Sequence, residues 1–205
     1  IIGSGGHSRI VTEIAILQEY EVVGIIDIDY NKNKKKELIN SIPIIGDETI
    51  LKKFKYKKIK IFLAIGDCKL RKQKFNFYKK LGFKFVNLIH PSANISKNIK
   101  IGSGVIISSG AIINNNVQIK NNVIINSGSI IEHETIIDSH CHCAPGSIVA
   151  GRVKLCDSVF LGIGSKVIDG ITIGSNSTVG AGSVVISNIP KNSTVIGIPG
   201  VIKKT

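Results

Sequence analysis

The sequence predicts two architectures in one chain: an α/β unit with a small parallel sheet over residues 1–88, then a parallel β-helix over 89–190, closed by an exit segment at 191–205. Three observations predict it. From Ile89 to Val185 an aliphatic residue or cysteine returns at every sixth position, seventeen times without an insertion. The fourth position of these hexads is Gly or Asn in twelve of the seventeen. Before Ile89, short apolar runs alternate with stretches of helical spacing instead.

In the first unit, "IIGSGGHSRIVTEIAIL" reads as a strand end, a glycine turn and a helix on which Ile10, Val11, Ile14 and Leu17 share a face. "EVVGIIDID" reads as a buried strand ending in two acids, "KIKIFLAIGD" as another strand, "RKQKFNFYKKL" as a helix and "FKFVNLI" as a last strand. Gly3-x-Gly5-x-x-Ser8 is a dinucleotide fingerprint without its third glycine, and Asp27 or Asp29 lies about 20 residues on, where ribose is often held. Backbone N–H groups at such a helix start can receive phosphate. A plain strand–turn–helix connection accounts for the same glycines, and His7 can serve as a simple helix cap.

In the second unit, Gly104, Gly110, Asn116, Asn122, Gly128, Gly164, Gly170 and Asn176 place a residue tolerant of positive φ once per hexad, so each unit is one short strand and one corner. The fifth position adds a slower rhythm. Ala93, Ala111, Ser129, Ser147, Ser165 and Ser183 recur every eighteen residues, so three hexads make one coil. Coils stacked at the strand spacing of ~4.8 Å give a column of roughly 27 Å.

Composition narrows the partners. The net charge is +13, carried mainly by residues 1–100, in runs such as "NKNKKKE" and "LKKFKYKKIK". Aromatic residues do not interleave with these runs in a stacking pattern, which argues for solvated faces and against nucleic acid. No apolar stretch approaches the ~18 residues of a membrane span, and no leader pattern opens the chain, so a soluble, cytoplasmic protein without membrane insertion is expected. The first residue is Ile and a strand is entered midway, which reads as a few N-terminal residues missing. Cys68, Cys141, Cys143 and Cys156 have no disulfide-like spacing and are expected as reduced thiols.

One corner breaks the pattern. In "IIEHET", residues 130–135, and in the hexad after it, Glu134 and His140 replace the usual Gly or Asn at the fourth position. Giving up a residue suited to the turn costs conformational energy and points to another demand on those sites. Glu132 has no assigned role.

The hexad form [LIV]-[GANS]-x-[GN]-[STAV]-x resembles the hexapeptide acyltransferases, and "NSTVIGIPGVIKKT" resembles their terminal segment, with Gly200 in place of the usual Ala. That resemblance implies a left-handed column, a homotrimer, and acyl-CoA bound between neighbouring columns. The combination of "GSGGH", "DID", "AIGDCKLR" and "IEHE" resembles more narrowly the sugar O- and N-acetyltransferases related to sialic acid O-acetyltransferase and to UDP-4-amino-sugar N-acetyltransferase. It implies acetyl-CoA as co-substrate and a nucleotide-sugar acceptor held by Ser4, Gly5, Gly6, His7, Asp27, Asp29, Gly66 and Arg71. It implies His133 as general base and Glu134 as its modulator, His142 and the backbone of Gly151 near the thioester, and Ile163 and Ala181 along the cofactor groove. The departure from the family pattern is "GDC", which leaves the contact at Cys68 open.

The chemistry suits those roles, since acetyl transfer needs a base for the attacking amine or hydroxyl, and His titrates near neutrality. A UDP-linked amino-sugar is the expected acceptor, with sialic acid O-acetylation as the alternative. No metal is expected, because "HCHC" at 140–143 lacks the usual ligand spacing. Two other readings stand beside this one: zinc held by His133, His140 and His142, as in trimeric β-helix carbonic anhydrases, and a non-catalytic scaffold that binds a nucleotide-sugar.

Overall fold

The computed structural model describes residues 1–30, 37–54 and 59–203, so the two basic runs lie partly outside the described residues. In the α/β unit a helix α1 (Gly6–Leu17) follows the glycine turn. The strands are shorter than expected. The run at 21–29 pairs only as β1 (Ile25–Ile26), and Val23 is half exposed. Ile2 bridges Ile26 on one side and Leu63 on the other, so the sheet is parallel around it.

A hairpin of β2 (Leu38–Ile39) and β3 (Ile42–Gly46), not anticipated from the apolar runs, completes the sheet, with β3 parallel to β1. The run at 58–67 yields β4 (Lys60–Ile61), which pairs with β5 (Lys84–Phe85). Helix α2 (Cys68–Lys80) starts before the expected Arg71, because the Asp67 carboxylate accepts the Leu70 N–H at 2.7 Å and caps it.

The last expected strand of the α/β unit is split. Its end, β6 (Leu88–Ile89), pairs with β9 (Ile106–Ile107) and belongs to the column. From β6 to β22 (Val184–Val185) each hexad supplies one two-residue strand, ending on the aliphatic position that defines the repeat. Partners lie eighteen residues apart, as in Ile112↔Ile130 and Ile130↔Ile148, so three parallel sheets wrap a triangular prism. The segment after 190 adds β23 (Thr194–Ile196) beside β21 (Thr178–Val179), and β24 (Val201–Ile202) turns back antiparallel.

All fourteen fourth positions from Gly104 to Gly182 have φ between +55° and +70°. Gly and Asn adopt this readily; Glu134, His140, Arg152 and Ser158 do so at a cost of roughly 1 kcal/mol each. Inside, the small fifth positions Ala111, Ser129, Ser147, Ser165 and Ser183 are buried along one edge.

The two units share a core on one face of the prism, formed by β6, β9, β12 (Ile124–Ile125), β15 (His142–Cys143) and β18 (Phe160–Leu161). The outward side chains of Leu88, Ile106 and Ile124 pack with Val11, Ile14 and Ala15 of α1 and with Phe62 and Ala64. Each such buried aliphatic contributes roughly 1.5–3 kcal/mol, which fixes the α/β unit to this docking face. Leu17, expected on the same helical face, is instead half exposed.

Candidate active site

The corner between β13 (Ile130–Ile131) and β14 (Ile136–Ile137) carries His133 and Glu134. The left-handed conformation of Glu134 lets its carboxylate turn back, and His133 Nδ1–H donates to Glu134 Oε2 at 3.3 Å. Both side chains are about half exposed, at 49 % and 53 %. With Nδ1 engaged, the lone pair of Nε2 is the one left to act as a base. One coil further on, a Cβ built on Gly151 would lie 2.6 Å from His133 Cε1 and 2.7 Å from Nε2. The ring therefore rests on the backbone of the next coil, in space that only glycine leaves open.

The next corner is built differently. Arg71 of α2 is 1 % exposed. Its Nη1 donates to the carbonyls of Ile65 (3.0 Å) and Gly66 (2.9 Å), and Nη2 to those of His140 (2.8 Å) and Cys141 (3.1 Å). Nε donates to Asn122 at 3.4 Å, and Cys68 Sγ lies 3.7 Å from Nη2. The guanidinium thus clamps α2 to the column with every N–H directed at a protein acceptor. This corrects the expectation that Arg71 binds acceptor: no donor is left for a ligand. Burial pulls its pKa below the usual arginine value.

His140 and His142 belong to this junction. Asn122 Nδ2–H donates to His140 Nδ1 at 2.7 Å, and the ring meets Phe75 edge to face. His142 Nδ1–H donates to the Gly66 carbonyl at 3.1 Å, while Asn126 Nδ2–H approaches Nε2 at 3.3 Å. Burial lowers the pKa of both to about 4, and it does the same to His7, helped by nearby Arg71. All three rings are neutral at pH 7. Among the described residues no group of three His, Cys, Asp or Glu is placed to hold a metal. His133 stands on one edge of the prism while His140 and His142 are committed to partners at the junction, so the three histidines do not converge as zinc ligands within a chain.

In the glycine turn, Ser4 Oγ–H donates to the Asp27 carboxylate, which also accepts the Asp29 N–H at 2.8 Å. Asp27 is thus buried and engaged in holding the turn, and Asp29 is the exposed acid of the pair. Gly3 is required at φ +104°, where a Cβ would lie 2.8 Å from the Ala64 carbonyl oxygen, whereas Gly5 and Gly6 face open space. Gly5 is the N-cap of α1 and no side chain caps it, so His7 is not a helix cap. Its Nε2 is buried without a hydrogen-bond partner.

Between α2 and the docking face runs an open cleft of about 940 Å³, lined by Gly66, Cys68, Lys72, His142, Phe160 and Thr178 among others. Ile163, 62 % exposed, and Ala181 lie one coil apart on the third corner, after β18 and β21. The expected residues therefore form three groups. His133, Glu134 and Gly151 come together; Ser4 to His7, Asp27, Gly66, Arg71 and His142 surround the junction; Ile163 and Ala181 stand apart. The edge that carries His133 is the one opposite the docking face, so His142 is not beside Gly151 within one chain.

Residues 1–78 match the family model for the PglD N-terminal domain, and residues 152–187 match the bacterial transferase hexapeptide (six repeats). A variant of perosamine N-acetyltransferase from Caulobacter crescentus, in complex with CoA and GDP-perosamine, superposes with a TM-score of 0.93 at 35 % identity, over 100 % of this chain and 95 % of that one. The acetyltransferase domain of PglB from Neisseria gonorrhoeae, in complex with acetyl coenzyme A, gives 0.91 at 30 % identity over 98 % and 97 %. The chain belongs to the hexapeptide-repeat sugar acetyltransferases. WeeI from Acinetobacter baumannii, at 20 % identity and a TM-score of 0.89, shares the fold. No curated protein matches by sequence.

Within this acetyltransferase family the column is the left-handed parallel β-helix, opposite in hand to ordinary parallel crossovers. The cleft residues Phe160 and Lys72 were not singled out from the sequence. A signal for Phe160 existed: the outward position on the docking face reads Leu88, Ile106, Ile124, then His142, Phe160, Thr178. The aliphatics lie where the α/β unit covers the column, and the change in residue type marks where the cleft opens.

Proposed function

We propose that the chain transfers the acetyl group of acetyl-CoA to the amino group of a UDP-linked amino-sugar, with His133 as general base. The observation that carries this reading is the His133–Glu134 pair, half exposed and braced on Gly151, at a corner where imidazole Nε2 faces solvent and Nδ1 is held by a carboxylate. The amine nitrogen attacks the thioester carbonyl as Nε2 takes its proton, and Glu134 stabilises the imidazolium through Nδ1–H. The Gly151 N–H, which donates to no backbone carbonyl among the described residues, is the candidate donor for the oxyanion. Collapse of the tetrahedral intermediate breaks the C–S bond and expels the CoA thiolate, which recovers the proton from His133. No covalent enzyme intermediate is needed.

The separation of the three groups of residues supports a site completed between subunits of a homotrimer. One copy brings its His133 edge to the acceptor turn and the Ile163–Ala181 corner of others. The relatives bind CoA, acetyl coenzyme A and GDP-perosamine, which favours N-acetylation of a nucleotide-linked amino-sugar over sialic acid. The test is free-thiol release from acetyl-CoA in the presence of UDP- and GDP-linked 4-amino-sugars and of sialic acids. Turnover with a UDP-linked amine is expected; turnover with sialic acid alone would sink the proposal, and a GDP-linked preference would correct the nucleotide.

A further inference from the structure

We propose that Asp169 is a positioning residue for the His133–Glu134 pair: by engaging the Arg152 guanidinium it leaves the Glu134 carboxylate to His133. This rests on the reading of His133 as general base given above. Of the four left-handed corners of the column occupied by neither Gly nor Asn, three are accounted for. Glu134 holds His133, the His140 carbonyl accepts from Arg71, and the Ser158 hydroxyl donates to Asp157, which pairs with Lys72 of α2. The fourth is Arg152, the one guanidinium on the column, since the other arginines of the chain are Arg9 and Arg71. Its partner is Asp169, and both groups are more than half exposed.

Register places this cation beside the base. The pairings Ile130↔Ile148 and Ile136↔Lys154 flank the two corners, so Arg152 follows Glu134 at the same position one coil on, a rise of about 4.8 Å. The Arg152 N–H donates to the His133 carbonyl at 2.9 Å, which ties the corners together. One coil further, Val149↔Val167 and Lys154↔Thr172 bring Asp169 over Gly151. The arginine fork thus stands between two carboxylates, Glu134 behind it and Asp169 ahead. A guanidinium can hold a carboxylate in bidentate geometry, a stronger contact than the single hydrogen bond of 3.3 Å between His133 and Glu134. With Asp169 in place the fork is drawn away from the base, and Glu134 fixes the ring as its Nδ1–H tautomer. Without Asp169, Glu134 becomes the partner of the fork and His133 loses its brace.

The experiment is a set of double-mutant cycles in the full chain, read by turnover and by the imidazole nitrogen shifts of His133 in NMR, which report the nitrogen that carries the proton. Asp169→Asn should lower kcat roughly fivefold, the population shift that an exposed Arg–carboxylate contact can supply. KM for acetyl-CoA and for the acceptor should stay unchanged, and the ring should move from the Nδ1–H toward the Nε2–H tautomer. Arg152→Asn, which suits the left-handed corner, should alter neither kcat nor tautomer. In the Arg152→Asn background, and in the Glu134→Gln background, Asp169→Asn should have no further effect. A loss of kcat that persists undiminished in either background overturns the proposal, because it would come from loosening of the corner. Wild-type kcat and tautomer in Asp169→Asn also overturn it, as does a fall in kcat in Arg152→Asn alone. Absence of turnover by the wild-type chain with any amino-sugar is a separate result that counts against the acetyltransferase reading, and the tautomer comparison then decides the role of Asp169.

Discussion

His133 and His140 lie in adjacent hexads, the first beside a strained corner residue and the second itself one, and have opposite fates. At the first corner the left-handed residue is Glu134, which leaves the neighbouring imidazole half exposed, touched by one carboxylate and one glycine. At the second it is His140 itself, turned inward against Asn122 and Phe75 and roofed by Arg71. The same backbone device serves chemistry at one edge and architecture at the next. What separates them is whether the α/β unit covers the corner.

The contrast is broken most severely at Arg71. Arg71→Ala deprives five buried carbonyls of their donor and opens the seam between α2 and the column. A loss on the order of 5 kcal/mol is expected in urea unfolding; a loss below about 1 kcal/mol would show that the clamp is incidental. His133→Ala should do the reverse. Its stability should stay within about 0.5 kcal/mol, while kcat falls by about 10²–10⁴. Unchanged turnover would remove His133 from the mechanism.

Acid sharpens the comparison further. His7, His140 and His142 are held near pKa 4, against about 6.5 in the unfolded chain. Because the folded-state values are depressed, protons bind the unfolded state more tightly. The stability these neutral rings contribute is complete above pH 6.5 and is lost as pH falls toward 4, by up to roughly 3 kcal/mol for each ring. Urea midpoints measured between pH 7 and pH 4 should decline accordingly. Asn at His142 should flatten the decline, and a pH-independent midpoint would contradict neutral burial.

The column was almost fully legible because its constraints are local and repeated: an inward aliphatic, a small fifth position and a left-handed corner recur with period six or eighteen. The strand ends at Ile89 and Val185 follow from that period alone. The α/β unit was less so. β2 and β3 arise from pairing across a short turn, and Leu38 and Pro43 do not alternate in a pattern that announces it. The pairing of His133 with Glu134 was readable, being between neighbours in a known register. The fate of Arg71 was not, because it depends on carbonyls of His140 and Cys141 about seventy residues away. Long-range satisfaction of a buried cation leaves no mark on its own local sequence.

The smallest change with a clear reading is Gly151→Ala. Gly151 is not held at positive φ, so alanine is acceptable to its backbone. The three atoms nearest its new methyl all belong to the His133 ring, at the end of a half-exposed side chain that can swing outward. Stability should therefore change little, since nothing buried has to move. The base, however, is displaced by about an ångström from the position that Glu134 and the next coil define, and such a shift typically costs up to ~10² in rate. Because the ring relocates without losing its carboxylate partner, the loss should fall on kcat, with KM for acetyl-CoA and for the acceptor nearly unchanged. A variant that loses acetyl-CoA affinity instead would place Gly151 against the cofactor and leave the orientation of His133 to Glu134 alone.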